Sequence, residues 1–201
     1  MNSLDQTSCI ILSAGSSGRM GRHKALLRFG AEKVTFIEKI TQVYAEAGVP
    51  EILVVISLEL KQQLDSIQLA LPGNVRCVVN ANPELGRFYS LKTGMQNTTA
   101  GNHVFFQNVD NPFVETELLS AMVTVSEQAE VVIPQFSGKT GHPVLLNPDV
   151  SEAIQNFENI DIRIDDFLRS FRIVLVNTEN PKTLVNINSR LDYDKEFPEL
   201  S

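Results

Sequence analysis

Apolar positions in this chain follow two alternating rhythms: short continuous runs, and longer stretches spaced to put apolar residues on one helical face. Runs at residues 8–12, 52–56, 75–79, 103–107 and 130–133 predict buried strands. Between them, 36–47, 58–71, 89–96 and 115–127 predict helices. Thr35 and Glu38 form a capping-box pattern ahead of Phe36, Ile37, Ile40, Val43, Tyr44 and Ala47, which share one face, and Gly48 ends that helix. Later the rhythm loosens into a polar turn at 138–143, a short strand at 144–146, a helix at 149–157, strands at 172–176 and 183–187, and a helix at 190–197. Alternation of this kind marks a mostly parallel sheet with flanking helices. Repeats, low-complexity tracts and Pro/Ser linkers are absent, so residues 1–201 read as a single domain with 1–7 as a disordered tail.

Composition narrows the picture. A chain of 201 residues buries roughly 70% of its unfolded surface without a disulfide or metal staple. The net charge of −7 argues against a nucleic-acid partner, yet Arg19, Arg22, Lys24 and Arg28 form a local basic cluster with no acid among them. Such a cluster on an acidic protein suits a small polyanion. Cys9 and Cys77 sit in apolar runs and read as buried free thiols in a reduced compartment. The polar start has no signal-peptide core, and no apolar run reaches bilayer length, so cytoplasmic residence and no membrane partner are expected.

The first strand runs into a loop with glycines at 15, 18 and 21, through which Arg19, Arg22 and Lys24 are threaded. Glycines let backbone N–H groups approach an anion, and the cations neutralise the charge that remains. The pattern fits a polyphosphate cradle; an ordinary turn with solvated cations is the plainer reading. It is neither a Walker A loop nor G-x-G-x-x-G, which removes the main support for hydride transfer.

If the sheet is parallel, the fourth strand ends at Asp110 on the same edge as this loop. A carboxylate there suits Mg²⁺, or caps its own turn ahead of Asn111-Pro112. Alternation puts Asn186 and Asn188 on one face, where their oxygens either ligate Mg²⁺ weakly or hydrogen-bond a turn. His142, between Gly141 and Pro143, either contacts an acceptor group or is a plain turn histidine, whereas His23 reads as solvated and His103 as structural.

The stretch Leu12-Ser-Ala-Gly15-Ser-Ser-Gly18-Arg19-Met20-Gly21-Arg-His-Lys24-Ala-Leu26-Leu27 closely resembles the signature loop of the nucleotidyltransferases with a Rossmann-like domain. That family includes molybdenum cofactor cytidylyl- and guanylyltransferases and several sugar- and alditol-phosphate nucleotidyltransferases. Asn82-Pro83, Gly86 and Ser90-Leu91-Lys92-Thr93-Gly94 resemble a second family segment, Val109-Asp110-Asn111-Pro112 a Gly-Asp-Gln-Pro motif, and Gly141-His142-Pro143 a turn of the cytidylyltransferase-like branch. The resemblance implies a three-layer α/β/α fold and Mg²⁺-dependent nucleotidyl transfer from a nucleoside triphosphate, favouring CTP. The acceptor it favours is phosphorylated molybdopterin, with a molybdoenzyme or chaperone as a protein partner. It implies nucleotide contacts from Leu12, Ser13, Ala14, Gly15, Ser16 and Gly18, and from Arg19, Lys24, Asn82 and Ser90. Arg19, Lys24 and Asp110 would be catalytic, Asp110 and Asn188 would hold Mg²⁺, and His142 would meet the acceptor. Three departures stand out: Ser13 for Ala, Val109 for Gly, and Asn186-Ile-Asn188 for Asp-Ile-Asp. A sugar- or alditol-phosphate nucleotidyltransferase and a non-catalytic binding protein are the alternatives.

Overall fold

The computed structural model describes residues 3–15 and 22–200. Among them are strands β1 (Thr7–Ser13), β2 (Glu51–Ser57), β3 (Val75–Asn80), β4 (His103–Asn108), β5 (Val131–Phe136), β6 (Lys139–Thr140), β7 (Val144–Leu146) and β8 (Ile173–Asn177). Helices are α1 (Phe36–Glu46), α2 (Leu58–Asp65), α3 (Gly86–Met95), α4 (Thr116–Thr124), α5 (Pro148–Asn156), α6 (Ile164–Leu168) and α7 (Arg190–Glu196). The strands form one sheet in the order β3-β2-β1-β4-β7-β5-β6, with β8 paired to β5. The β1–β4 half is parallel throughout, as is the β5–β8 pair, while β7 runs antiparallel to both β4 and β5.

Strand alternation splits the core into two layers of packing. Cys9, Ile11, Ile52, Val54, Ile56 and Phe105 face α1 and α4; Ile10, Leu12, Leu53, Val55, Val104 and Phe106 face α3, α5 and α6. The expected three-layer α/β/α architecture with a mostly parallel sheet is thus the one found. Cys9 is buried, Cys77 half-buried, and both are free thiols. Among the described residues no helix is long and apolar enough to cross a membrane. Helix α3 lies close on β1 and β2 because of Gly94, where a Cβ would stand 2.7 Å from Ile10 Cγ2. That close approach brings the first turn of α3 to the C-terminal end of β1.

Several elements differ from expectation, each for a local reason. The expected tail is ordered from Leu4, with a 3-10 turn over Leu4–Gln6 and Thr7 buried in β1 opposite His103. Helix α2 ends at Asp65 rather than 71, because the Ser66 hydroxyl donates to the Gln63 carbonyl and the Ala70 N–H goes to the Glu38 carboxylate. Helix α4 stops at Thr124 and continues as a 3-10 turn over Ser126–Gln128. The polar turn at 138–143 contains a tight hairpin, with Lys139–Thr140 pairing back onto β5 through positive-φ Ser137 and Gly138. Helix α6 was not anticipated.

The largest difference is at 183–187, expected as a strand. Pro181 and the Asn180 side chain, which accepts from the Lys182 N–H, instead start a 3-10 turn over Pro181–Leu184. The following residues lie outside the sheet and are pinned individually. The Asn111 amide donates to the carbonyls of Thr183 (3.0 Å) and Val185 (2.8 Å), and the Ile187 N–H donates to the Asp110 carbonyl (2.7 Å). The His142 N–H donates to the Thr183 carbonyl at 3.1 Å, and the Thr183 hydroxyl returns a bond to the His142 carbonyl at 2.6 Å.

Gly141 makes that docking possible, since a Cβ there would meet the Thr183 carbonyl oxygen at 2.4 Å. Gly141→Ala is expected to destabilise the fold by about 2 kcal/mol, the usual scale for overpacking against backbone. Chemical denaturation measures this; an unchanged midpoint would mean that the 183 segment retreats freely.

Candidate active site

β1 and β4 run side by side with Leu12 opposite Asn108, and the strand order reverses between β2–β1 and β1–β4. Ligands of parallel α/β sheets bind at such a reversal, beyond the strand C-termini. A cleft opens there. Of the residues expected on a nucleotide, Leu12, Ser13, Ala14, Gly15, Lys24 and Ser90 line it, together with Asp110. Ser16, Gly18 and Arg19 lie outside the described residues. Asn82 does not line the cleft: it is exposed, and its N–H donates to the Asn80 side chain. Asn80 is the buried partner, donating to the Ser90 hydroxyl at 3.0 Å, while that hydroxyl donates to the Gly86 carbonyl at 3.1 Å. Ser90 therefore shapes the first turn of α3.

Lys24 starts a short 3-10 turn, Lys24–Leu26, capped by His23, whose Nδ1 accepts from the Ala25 N–H at 3.3 Å. That contact puts the proton of neutral His23 on Nε2. The ring is buried, not solvated as expected, and burial lowers its pKa below the ordinary histidine value. Lys24 Nζ donates to Asp110 Oδ2 at 3.0 Å and to Asn188 Oδ1 at 2.6 Å. Both ionic partners are largely shielded, with side-chain exposures of 18% and 24%. At this separation the gross Coulomb attraction is about 5 kcal/mol for a near-surface dielectric, before desolvation is subtracted. The Asp110 carboxylate thus meets Lys24, and the neighbouring turn is closed by backbone, Asn111 N–H to Asn108 carbonyl at 3.1 Å.

This geometry tests the expected metal site. Asp110 Oδ2 and Asn188 Oδ1 converge on one cationic atom, so the ammonium of Lys24 stands in for a cation there. One carboxylate plus a neutral oxygen is a sparse donor set, but it fits Mg²⁺, which takes its other ligands from water and substrate phosphates. Among the described residues, no group of three or more His, Cys, Asp and Glu could hold a metal. The departures from the family pattern also find places. Val109 is 5% exposed, packs in the core cluster with Phe113 and Ile187, and donates its N–H to the Leu12 carbonyl. Core packing absorbs its extra bulk. Ile187 points into the same core and flanking Asn186 and Asn188 face the cleft side, so the expected alternation survives without a strand.

Beyond Asp110 the cleft continues into a polar cavity that includes His142, Asn108, Asp165 and Asn186. His142 Nε2 lies 2.9 Å from the Asn108 amide nitrogen, the ring meets Phe106 edge-on at 5.8 Å, and Nδ1 has no partner. Burial lowers the His142 pKa to about 4; Asp110 and Asp165 oppose that shift and Arg87 adds to it. His142 is therefore neutral at physiological pH. Past it, a second cavity has apolar walls from Ile133, Leu168, Ile173, Leu175 and Leu184. Arg87, Asn80, Asn108 and Asp165 were not singled out from sequence. For Asn108 the signal was present, as the last residue of a strand already aimed at the loop; Arg87 sat unremarked between Gly86 and Ser90.

A family model described as a MobA-like NTP transferase domain matches residues 9–176. No curated protein matches the chain. Among solved structures, a homologue of Mycobacterium tuberculosis Rv0371c from Mycobacterium sp. strain JC1 superposes with a TM-score of 0.79 at 15% identity, covering 98% of this chain and 97% of that one. Rv0371c from M. tuberculosis H37Rv, in complex with manganese, gives 0.73 at 17% identity, with 96% and 98% covered. Molybdopterin-guanine dinucleotide biosynthesis protein A from Archaeoglobus fulgidus gives 0.70 at 14%, again with 96% and 98% covered. At these identities the likeness is one of fold.

His142 links the site to acid stability. Its pKa is about 4 when folded against 6.5 for the ordinary side chain, so below pH 6.5 the unfolded chain binds a proton that the folded one refuses. Its contribution is fully present above pH 6.5 and is lost as pH falls towards 4, by about 3 kcal/mol at most. Denaturation midpoints at pH 7 and pH 4.5 should therefore converge in His142→Asn relative to the parent. An identical pH response in both proteins would contradict this.

Proposed function

This chain belongs to the MobA-like NTP transferase family, and we propose that it transfers a nucleotidyl group from a nucleoside triphosphate to a phosphorylated acceptor, releasing pyrophosphate. Convergence of Lys24, Asp110 and Asn188 beside the loop that leaves β1 carries this reading. CTP is the favoured donor and a molybdopterin phosphate the favoured acceptor, through the likeness of Gly141-His142-Pro143 to the cytidylyltransferase-like branch. The cavity beyond His142, where Leu168 and Leu175 stand beside Asp165, Arg169 and Asn186, supports an acceptor with a sizeable body that is both apolar and polar.

Lys24, with Arg19, holds the triphosphate and neutralises charge that grows on the departing pyrophosphate. Asp110 and Asn188 would hold Mg²⁺; when bound, it supplies Lewis-acid polarisation and charge neutralisation at phosphate oxygen. An anionic oxygen of the acceptor phosphate attacks the α-phosphorus, a new P–O bond forms, and the α–β bridge breaks with its electron pair leaving on pyrophosphate. The nucleophile is already anionic near neutral pH, so no general base is needed. Neutral His142 lines the cavity given to the acceptor and holds Asn108 there, a role that needs no proton transfer.

Pyrophosphate release with Mg²⁺, each common nucleoside triphosphate and a panel of phosphorylated acceptors tests the reading. Release with CTP and molybdopterin is expected; release only with a small sugar or alditol phosphate would replace the acceptor. Tight nucleotide binding with no release from any acceptor would favour the accessory role. Lys24→Ala is expected to weaken triphosphate affinity at least tenfold by calorimetry, an interaction with a charged group being worth about 1.5–3 kcal/mol. Asp110→Ala should chiefly suppress turnover, by a hundredfold or more on the scale of lost electrostatic stabilisation. Full Mg²⁺-dependent activity in Asp110→Ala would remove the metal assignment.

A further inference from the structure

Arg87 belongs to two cavities at once. In the first turn of α3, it lines both the cleft at the end of β1 and the polar cavity that holds His142 and Asn186. Two carboxylates also line that polar cavity, and each has a cation nearby. Asp110 is bound to Lys24 at 3.0 Å, and Asp165, largely exposed, lies 3.5 Å from Arg163. Arg87 makes no ion pair among the described residues, although its charge acts on His142. Beside it on the cavity wall are two neutral polar groups, the Asn108 amide and the His142 ring, 2.9 Å apart. Among the described residues Arg87 is thus the one cation lining this polar cavity, and it stands at the junction with the cleft, not held by an ion pair.

We propose that Arg87 is a catalytic residue that binds the acceptor as a phosphate monoester dianion and carries it onto the α-phosphorus. This rests on the nucleotidyl-transfer reading above and adds to it the residue and charge state that select the acceptor. A phosphate monoester carries nearly two negative charges at neutral pH, and it must approach a phosphorus that already bears anionic oxygens. Two like charges at about 4 Å repel by about 4 kcal/mol in a near-surface dielectric, so a cation between them is the strongest single aid available. A guanidinium suits that place because its fork can hold two phosphate oxygens while keeping its full charge. As the new P–O bond forms and the α–β bridge breaks, Arg87 stays with the oxygens of the linkage being made, and Lys24 with those that leave. No proton moves in this step. Asn108 holds the His142 ring from its Nε2 side, and the two side chains share the wall of the cavity with Arg87.

Calorimetry with inorganic phosphate as the probe tests this, using the whole chain saturated with Mg²⁺ and α,β-methylene-CTP. Arg87→Ala is expected to weaken phosphate binding at least tenfold while leaving nucleotide affinity within twofold, and Arg87→Lys to recover part of the loss. Lys61→Ala, at a partly exposed cation of α2 paired with Asp65 away from both cavities, should change neither affinity. Unchanged phosphate affinity in Arg87→Ala would overturn the proposal, as would a loss of nucleotide affinity by the same factor as phosphate. No phosphate binding to the nucleotide-loaded parent would also overturn it. Failure of the parent to bind the nucleotide analogue at all would instead remove the transfer reading beneath it.

Discussion

The cleft is organised around the ammonium of Lys24, caught between Asp110 and Asn188. Each of the three comes from a different part of the chain: the turn after the first loop, the end of β4, and the segment that precedes α7. Each anchor is itself pinned. His23 caps the turn that carries Lys24, the Ile187 N–H bonds to the Asp110 carbonyl, and the Asp192 carboxylate accepts from the Asn188 N–H at 3.0 Å. A partly shielded charge left without its counter-charge is costly, so the pair constrains all three segments together. The same atoms give the site its chemical character, because oxygens that converge on an ammonium also suit a small hard cation.

Preorganisation continues away from this contact. Gly94 lets α3 settle against β1, which sets Arg87 over the junction of the two cavities. Asn80 and Gly86 take up the hydrogen bonds of Ser90, so this side chain, besides lining the cleft, braces the backbone turn that faces it. His142 stays neutral through burial and is flanked by Asn108 and Phe106. Little of this polar wall needs to reorganise when charge shifts along a phosphate chain.

Much of the architecture could be read from residue order. Buried runs such as Ile52 to Ile56 have few alternatives to a parallel central strand, and the Thr35–Glu38 capping box forms as expected. Lys24 and Asp110 were identifiable because strand ends in a parallel sheet share an edge. Local propensity gives way where a tertiary hydrogen bond outbids it. The β-branched stretch after Lys182 satisfies its carbonyls on Asn111 rather than on a neighbouring strand, and α2 gives up its last turn because Glu38 captures the Ala70 N–H. His23 looked like a surface residue beside Lys24, yet its ring is needed to cap Ala25. None of these bonds is visible before the chain is folded.

The far wall of the cleft has one more property. The family match closes at residue 176, and Asn186 and Asn188 lie beyond it, on a segment whose Thr183, Val185 and Ile187 are held by Asn111, Gly141 and Asp110 rather than by sheet pairing. During synthesis this wall emerges from the ribosome after every strand has been made. A nascent chain can therefore assemble its sheet first and complete the cleft only when its closing segment threads into place, so the cleft matures after the scaffold.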